Sequence, residues 1–175
     1  MDASNEQIIR YSRGMIVIHW VTAALVVAAW FTAEGGRRVV ETPPLMHFSL
    51  GLAVLALMVP RLILRMFGRA PPALDEQRPR LALAAKIGHA LLYAFLIGLP
   101  LSGWYAASRL GVSVSFFGIG LPAIAAPAQG VPGPVAEIHE NAGTVILYLA
   151  GLHALMAGWH HFVLRDGTLR RMSPL

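Results

Sequence analysis

Four long apolar segments, separated by polar or turn-forming stretches, dominate the pattern along this chain of 175 residues. They cover residues 15–33, 45–67, 81–107 and 137–164. Each segment is about as long as, or longer than, the roughly 20 residues that a helix needs to cross a bilayer. Because a backbone inside lipid must satisfy its own hydrogen bonds, each segment is predicted to be a helix. The sequence therefore predicts an all-α membrane protein, a four transmembrane helix bundle forming a single domain over residues 1–175.

Composition supports a membrane protein and excludes several classes of function. Charged residues make up 13% of the chain, against about 25% in typical soluble domains. The net charge of +5 does not indicate nucleic-acid binding, because most basic residues flank the apolar segments and none alternates with aromatic residues. The chain has no cysteine, which excludes disulfides, thiolate-bound iron–sulfur clusters and covalent c-type haem attachment.

The basic residues predict the orientation of the helices. Eleven lie at the two chain ends and around the link between the second and third segments: Arg10, Arg13, Arg61, Arg65, Arg69, Arg78, Arg80, Lys86, Arg165, Arg170 and Arg171. Only Arg37, Arg38 and Arg109 belong to the other two loops. The positive-inside rule therefore predicts a multi-pass membrane protein with both termini in the cytoplasm. No cleavage site follows the first apolar run, so no cleaved signal peptide is expected.

The loop at residues 108–136 is rich in glycine and proline and is apolar, but its pattern is broken. It is predicted to form a folded external cap on the membrane surface rather than a fifth span.

Two histidines in the fourth segment lie on one face of its helix. His139 and His153 are fourteen residues apart, which at about 100° per residue is about 40° short of four full turns. They are separated by about 21 Å along the helix axis, which is most of a hydrocarbon core of roughly 30 Å. One helix thus offers an imidazole near each membrane face.

Histidines in the first two segments match these depths. With the predicted orientation, His19 lies near the cytoplasmic side at the depth of His153, and His47 lies near the external side at the depth of His139. A single histidine in a span could simply bond to a neighbouring helix, but two pairs of matched depth favour two bis-histidine haems. The residues four positions later are all small, which suits a flat porphyrin and also ordinary helix packing: Ala23, Gly51, Gly143 and Ala157.

Two further histidines lie near the cytoplasmic ends of helices. His89 could contact a haem propionate or a quinone, but a bonded interfacial imidazole is slightly favoured. His160 lies seven residues after His153 and shares its helix face. It is a second candidate for a propionate or quinone contact, and the alternative, a solvated imidazole at the interface, is about equally well supported. A metal site formed by His89, His160 and His161 has no spacing signature and is not favoured.

Short motifs follow one another along nearly the whole chain. They are Tyr11-Ser12-Arg13 with Ile18-His19-Trp20, His47 ahead of Gly51, Arg61-Leu62-Ile63-Leu64-Arg65, Gly88-His89, Leu99-Pro100-Leu101-Ser102-Gly103, Phe116-Phe117-Gly118, Leu121-Pro122, His139-Glu140, Gly151-Leu152-His153, His160-His161-Phe162, Arg165-Asp166 and Arg171-Met172-Ser173-Pro174. Each motif alone is weak, but the series in this order resembles the bacterial cytochrome b561 family.

The resemblance implies a four-helix membrane cytochrome with two haem b groups. It implies the ligand pairs His19–His153 and His47–His139, and electron exchange with ubiquinone. Short members of the family resemble the superoxide oxidase type, which passes electrons from periplasmic superoxide to quinone, and longer relatives are membrane subunits of hydrogenases and formate dehydrogenases.

For the quinone, the candidate contacts are His89, His160, Lys86 and Arg13. Arg61, Arg65 and Lys86 could also neutralise haem propionates, although the positive-inside pattern is the favoured explanation of each. The chemistry belongs to haem and quinone, and the protein supplies position and potential.

The sequence therefore favours an oxidoreductase that moves electrons across the bilayer from a periplasmic donor, with superoxide as one candidate, to the ubiquinone pool. The expected partners are lipid, quinone and a small periplasmic donor or redox protein. Two other hypotheses stay open. One is a cytochrome b anchor subunit that docks a periplasmic dehydrogenase or hydrogenase, and the other is a haem-free transporter with histidines as transient metal ligands.

Overall fold

Four long helices form the body of the protein. The computed structural model describes residues 9–33, 38–68, 71, 78–128 and 133–174. In chain order the elements are α1 (Arg13–Phe31), α2 (Arg38–Glu41), α3 (Leu45–Phe67), α4 (Pro79–Arg109), β1 (Ser115–Phe116), β2 (Ile119–Gly120), α5 (Pro134–Phe162) and α6 (Thr168–Met172). Helices α1, α3, α4 and α5 are each long and apolar enough to span a membrane. The predicted all-α membrane bundle with four spans is confirmed.

The helix starts differ from the hydropathy prediction by a few residues, for local reasons. The Ser12 hydroxyl caps α1 by accepting the Met15 N–H at 3.3 Å, so α1 begins before its first apolar residue. Pro79 and Pro134 stand in the first turns of α4 and α5. A proline is tolerated there because the first N–H groups of a helix have no intrahelical partner.

The long helices pack in sequence, α1 against α3, α3 against α4, and α4 against α5. A buried cluster at the centre joins three of them through Val54, Met58, Leu96 and Ile146. Many large apolar side chains on the outer surface are exposed, as expected for helices whose outer faces contact lipid.

A folded cap follows α4 at one end of the bundle. Strands β1 and β2 form a hairpin whose turn, Phe117-Gly118, has positive φ at both residues. The Phe117 N–H donates to Ser49 Oγ at 2.9 Å, and the Trp104 indole donates to the Pro122 carbonyl at 3.1 Å. The described part of this cap, up to residue 128, contains no fifth spanning helix; residues 129–132 of the predicted cap lie outside the described residues.

The two described chain ends meet at the opposite end of the bundle. Helix α6 folds back so that the Trp20 indole donates to the Met172 carbonyl at 2.8 Å, and the Tyr11 N–H donates to the Arg171 carbonyl at 3.2 Å. We call this the termini end, and we call the end that carries the β hairpin the loop end.

Candidate functional site

Four histidines from three spanning helices lie in two pairs. The ring centres of His47 and His139 are 6.0 Å apart, and we call them the loop-end pair. The ring centres of His19 and His153 are 6.2 Å apart, and we call them the termini-end pair. Helix α5 supplies one member of each. The structure thus brings together the same residues that the sequence pairs, while their role as haem ligands stays a prediction.

Both imidazoles of the loop-end pair are held by backbone carbonyls. His47 Nδ1 lies 2.7 Å from the Ala29 oxygen, and His139 Nδ1 lies 3.0 Å from the Leu99 oxygen. A carbonyl only accepts, so Nδ1 is the protonated nitrogen in each ring. Nε2 then keeps its lone pair, which is the tautomer that a metal-binding histidine needs.

Helix α4 comes close to His139 because residue 103 is glycine. A Cβ atom at Gly103 would lie 2.7 Å from His139 Cε1, which is well inside van der Waals contact. The Ser102 hydroxyl, one residue earlier, lies 3.1 Å from His139 Nδ1. These two residues therefore fix the position of the imidazole across the α4–α5 interface.

A cavity of about 920 Å³ surrounds the loop-end pair. Its volume is near the upper end of the range for ligand pockets, about 300–1,000 Å³. The predicted small residues Gly51 and Gly143 line it, together with Glu137 and Glu140. The cavity is therefore large enough for a flat organic cofactor beside the two imidazoles.

The termini-end pair has a cation beside it. Arg61, on α3, is buried, and its Nη2 lies 2.9 Å from His19 Nδ1. Its guanidinium carbon lies 5.4 Å from the centre of the Tyr93 ring. His89 lies close to the same pair, with its ring centre 5.2 Å from that of His153. This end therefore differs in charge from the loop end.

The spacing of both pairs fits a metal held between two imidazoles. Since a metal–imidazole bond is about 2 Å long, two imidazoles on opposite sides of one ion have donor nitrogens about 4 Å apart and ring centres roughly 6 Å apart. The observed 6.0 Å and 6.2 Å match this value. Together with the cavity and the close approach at Gly103, the loop-end residues fit a bis-histidine haem. At the termini end the spacing fits as well, but a guanidinium only donates, so a neutral His19 carries its proton on Nε2 and would have to turn its ring or release that proton to bind iron.

His160 at the end of α5 is buried and bonded to an acid. Its Nδ1 donates to Asp166 Oδ2 at 2.6 Å, and the Thr168 N–H donates to Asp166 Oδ1 at 3.0 Å. Burial raises the pKa of Asp166, but the hydrogen bonds from Thr168 and His160 outweigh it, so this pKa lies below its ordinary value. The alternative of a solvated interfacial His160 is therefore wrong.

The lowered pKa of Asp166 predicts a pH-dependent contribution to stability. A carboxyl whose pKa is depressed in the folded state stabilises it above the unfolded pKa, near 3.9, and loses this effect as pH falls through the folded pKa. Asp166→Asn is expected to lower the unfolding temperature at about pH 7, and the difference should shrink as the pH falls below the unfolded pKa and through the lowered folded pKa. Thermal unfolding in detergent checks this, with Glu41→Gln as an exposed carboxylate control. A difference that does not change with pH would contradict it.

The other predicted contacts lie at the surface of the termini end. His89 is exposed, and its Nδ1 donates to the Ala85 carbonyl of its own helix at 2.7 Å. Lys86 and Arg13 are exposed as well. The structure does not gather these side chains around one point. Among the described residues, no group of three or more histidine or acidic side chains is arranged to hold a metal ion.

Sequence reasoning missed the roles of four neighbours of the histidines. Arg61 contacts His19, Ser102 and Gly103 lie against His139, and Asp166 accepts a hydrogen bond from His160. Arg61 carried a signal, because a charged residue within a span is costly and usually functional. The sequence did not indicate these roles for Ser102 and Gly103, since their contacts with His139 cross between two helices, and the bond of Asp166 to His160 depends on the turn that follows α5.

Comparisons with known proteins identify the family of this chain. The family model of prokaryotic cytochrome b561 matches residues 10–174. The chain is 32% identical over 169 residues to "Probable superoxide oxidase CybB" of Yersinia pestis, covering 94% of this chain and 96% of that one. It is 28% identical over 173 residues to "Cytochrome b561 homolog 1" of Escherichia coli strain K12, covering 94% and 97%. The chain belongs to the prokaryotic cytochrome b561 family, whose members are membrane cytochromes that bind haem b and transfer electrons.

Proposed function

We propose that this protein carries electrons across the bacterial inner membrane, from an external one-electron donor to ubiquinone, through two haem b groups. The observation that carries the proposal is the arrangement of two imidazole pairs, each about 6 Å between ring centres, on the shared helix α5. The basic residues of the chain support an orientation with the termini end in the cytoplasm and the loop end outside.

The histidines of each pair bind and orient one haem from both sides. A bound haem b supplies an iron that accepts and releases one electron. If the two imidazoles of a pair held the haem iron between them, no site would remain there for oxygen, which would favour electron transfer over oxygen binding. At the loop end the Ala29 and Leu99 carbonyls hold the Nδ1 protons of His47 and His139, so that the ligand nitrogens stay unprotonated.

The family resemblance suggests superoxide as one electron donor, since one relative is named a probable superoxide oxidase. A second candidate is a docked periplasmic dehydrogenase, with this chain as its membrane anchor. Glu137 and Glu140 line the loop-end cavity, and their negative charge favours a donor that is not a small anion. Reduction of the purified cytochrome by superoxide generated in solution, compared with co-purification of a soluble subunit, separates the two.

At the termini end, His160 is the proposed proton carrier for quinone. Reduction of a quinone to a quinol takes up two electrons and two protons. Asp166 accepts the Nδ1 proton of His160 at 2.6 Å and thereby orients the ring. Nε2 is then the nitrogen proposed to pass a proton to the quinone. His89, Lys86 and Arg13 stay proposed contacts of the quinone or of haem propionates.

The first test is a reduced-minus-oxidised absorption spectrum of the detergent-purified protein, together with haem and protein quantitation. We expect a b-type spectrum and about two haems per chain, because each imidazole pair binds one. A ratio near one would break the paired assignment and would make His89, whose ring is 5.2 Å from that of His153, a competing ligand. A colourless protein would favour a histidine-bearing transporter.

A further inference from the structure

The two imidazole pairs lie in surroundings of opposite charge. The described residues that line the loop-end cavity include two carboxylates, Glu137 and Glu140, and no lysine or arginine. At the termini end, the guanidinium of Arg61 lies directly against His19. The hydrogen bonds of the imidazoles differ as well. The loop-end imidazoles donate to carbonyls, whereas His19 Nδ1 accepts from the guanidinium of Arg61.

Arg61 is an unusual cation for a position inside a spanning helix. It follows Pro60 in α3 and is only 9% exposed. No carboxylate among the described residues forms an ion pair with it, and its buried Nε has no hydrogen-bond partner there. A buried charge without a counterion is costly. Its position against His19 places its positive charge next to whatever that pair binds.

A nearby charge shifts a reduction potential in a predictable direction. Reduction adds one negative charge to the centre, so a close cation favours the reduced form and raises the potential, while carboxylates lower it. Imidazole N–H groups that donate to carbonyls make the ring a more basic ligand, which favours the oxidised metal. All of these effects lower the potential at the loop end relative to the termini end.

We propose that Arg61 sets the direction of electron flow, by holding the centre bound by His19 and His153 at a higher potential than the centre bound by His47 and His139. The inference rests on the proposed function, since it requires two haems. In the step concerned, one electron leaves the loop-end centre, which is oxidised, and reduces the termini-end centre. No bond forms or breaks. The external donor supplies the electron, and the quinone removes it.

The test is a spectroelectrochemical titration of the full-length, haem-loaded protein and its Arg61→Gln and Arg61→Lys variants. Arg61→Gln is expected to lower the termini-end potential by about 59 mV, which for a one-electron couple changes the equilibrium constant of electron transfer by roughly tenfold. The loop-end potential should stay unchanged, and Arg61→Lys should retain most of the wild-type value. A His153→Ala protein, which keeps only the loop-end centre, assigns the two potentials.

Arg80→Gln is the matched control. Arg80 is exposed in the first turn of α4, at the same end of the bundle, so removing its charge should leave both potentials unchanged. Should Arg61→Gln fail to fold, Arg61→Met removes the same charge and places an apolar side chain at this buried position in a spanning helix. Glu140→Gln tests the other half of the gradient and is expected to raise the loop-end potential alone, because it removes a carboxylate from that cavity.

Two results would overturn the proposal. One is an absence of any shift of the termini-end potential in Arg61→Gln or, in its place, Arg61→Met. The other is a rise of the termini-end potential in Arg61→Gln, which would mean that Arg61 stabilises a deprotonated His19 imidazole and thereby favours the oxidised metal. If the proposed function itself were wrong, the wild-type protein would not contain two haems, and there would be no pair of potentials to titrate.

Discussion

Replacing His153 with alanine is expected to reduce the haem content from about two per chain to about one. His153 and His19 face each other across 6.2 Å, and alanine leaves His19 without the imidazole on the other side. A metal site depends on its ligand count, and even the loss of an outer-shell partner typically lowers metal affinity about 10–100-fold. Haem and protein quantitation of the purified variant measures the loss.

Two controls separate the loss of a ligand from the loss of the fold. His161→Ala removes a histidine from the same helix, outside both pairs, and should keep the full haem content. Added imidazole should restore the second haem to His153→Ala by filling the space of the missing side chain. Full haem content in His153→Ala would contradict the assignment, and loss of that content in a His89→Ala, His153→Ala double variant would then identify His89 as the ligand.

The membrane fold could be predicted from the sequence because lipid leaves the backbone few choices. An apolar run of sufficient length in a bilayer must be a helix, so the four spans follow from hydropathy alone. The residues at which the helices begin depend on local capping rather than on hydropathy. The Ser12 cap and the first-turn prolines Pro79 and Pro134 extend α1, α4 and α5 beyond their apolar runs, and a hydropathy average does not register a cap.

The candidate site could be predicted only as far as one helix determines it. The spacing of His139 and His153 on α5 fixes their shared face and their separation, and the basic residues then match the depths of His19 and His47. What surrounds each ring depends on how closely two helices approach, and no periodicity in a single segment contains that information. This is why Ser102 and Gly103 gave no signal beside His139, and why the charge of Arg61 was assigned mainly to orientation.

Gly103→Ala is expected to remove the haem at the loop end, although it changes no ligand. The added methyl carbon would lie 2.7 Å from His139 Cε1, and the imidazole is fixed by its bonds to the Leu99 carbonyl and the Ser102 hydroxyl. Either the ring or α4 must move, at a typical overpacking cost of about 1–3 kcal/mol. Because a haem needs both imidazoles aligned, a displaced His139 should leave about one haem per chain.

Gly98→Ala is the matched control, because it makes the same substitution in α4. A Cβ at Gly98 would meet nothing within 4 Å, so this variant shares any helix-propensity effect of alanine without the clash and should keep both haems. The single haem left in Gly103→Ala should be the one that His153→Ala loses, so their two spectra should add up to that of the wild type. Full haem content in Gly103→Ala would show that His139 has room to move and that the close approach of α4 does not determine haem binding.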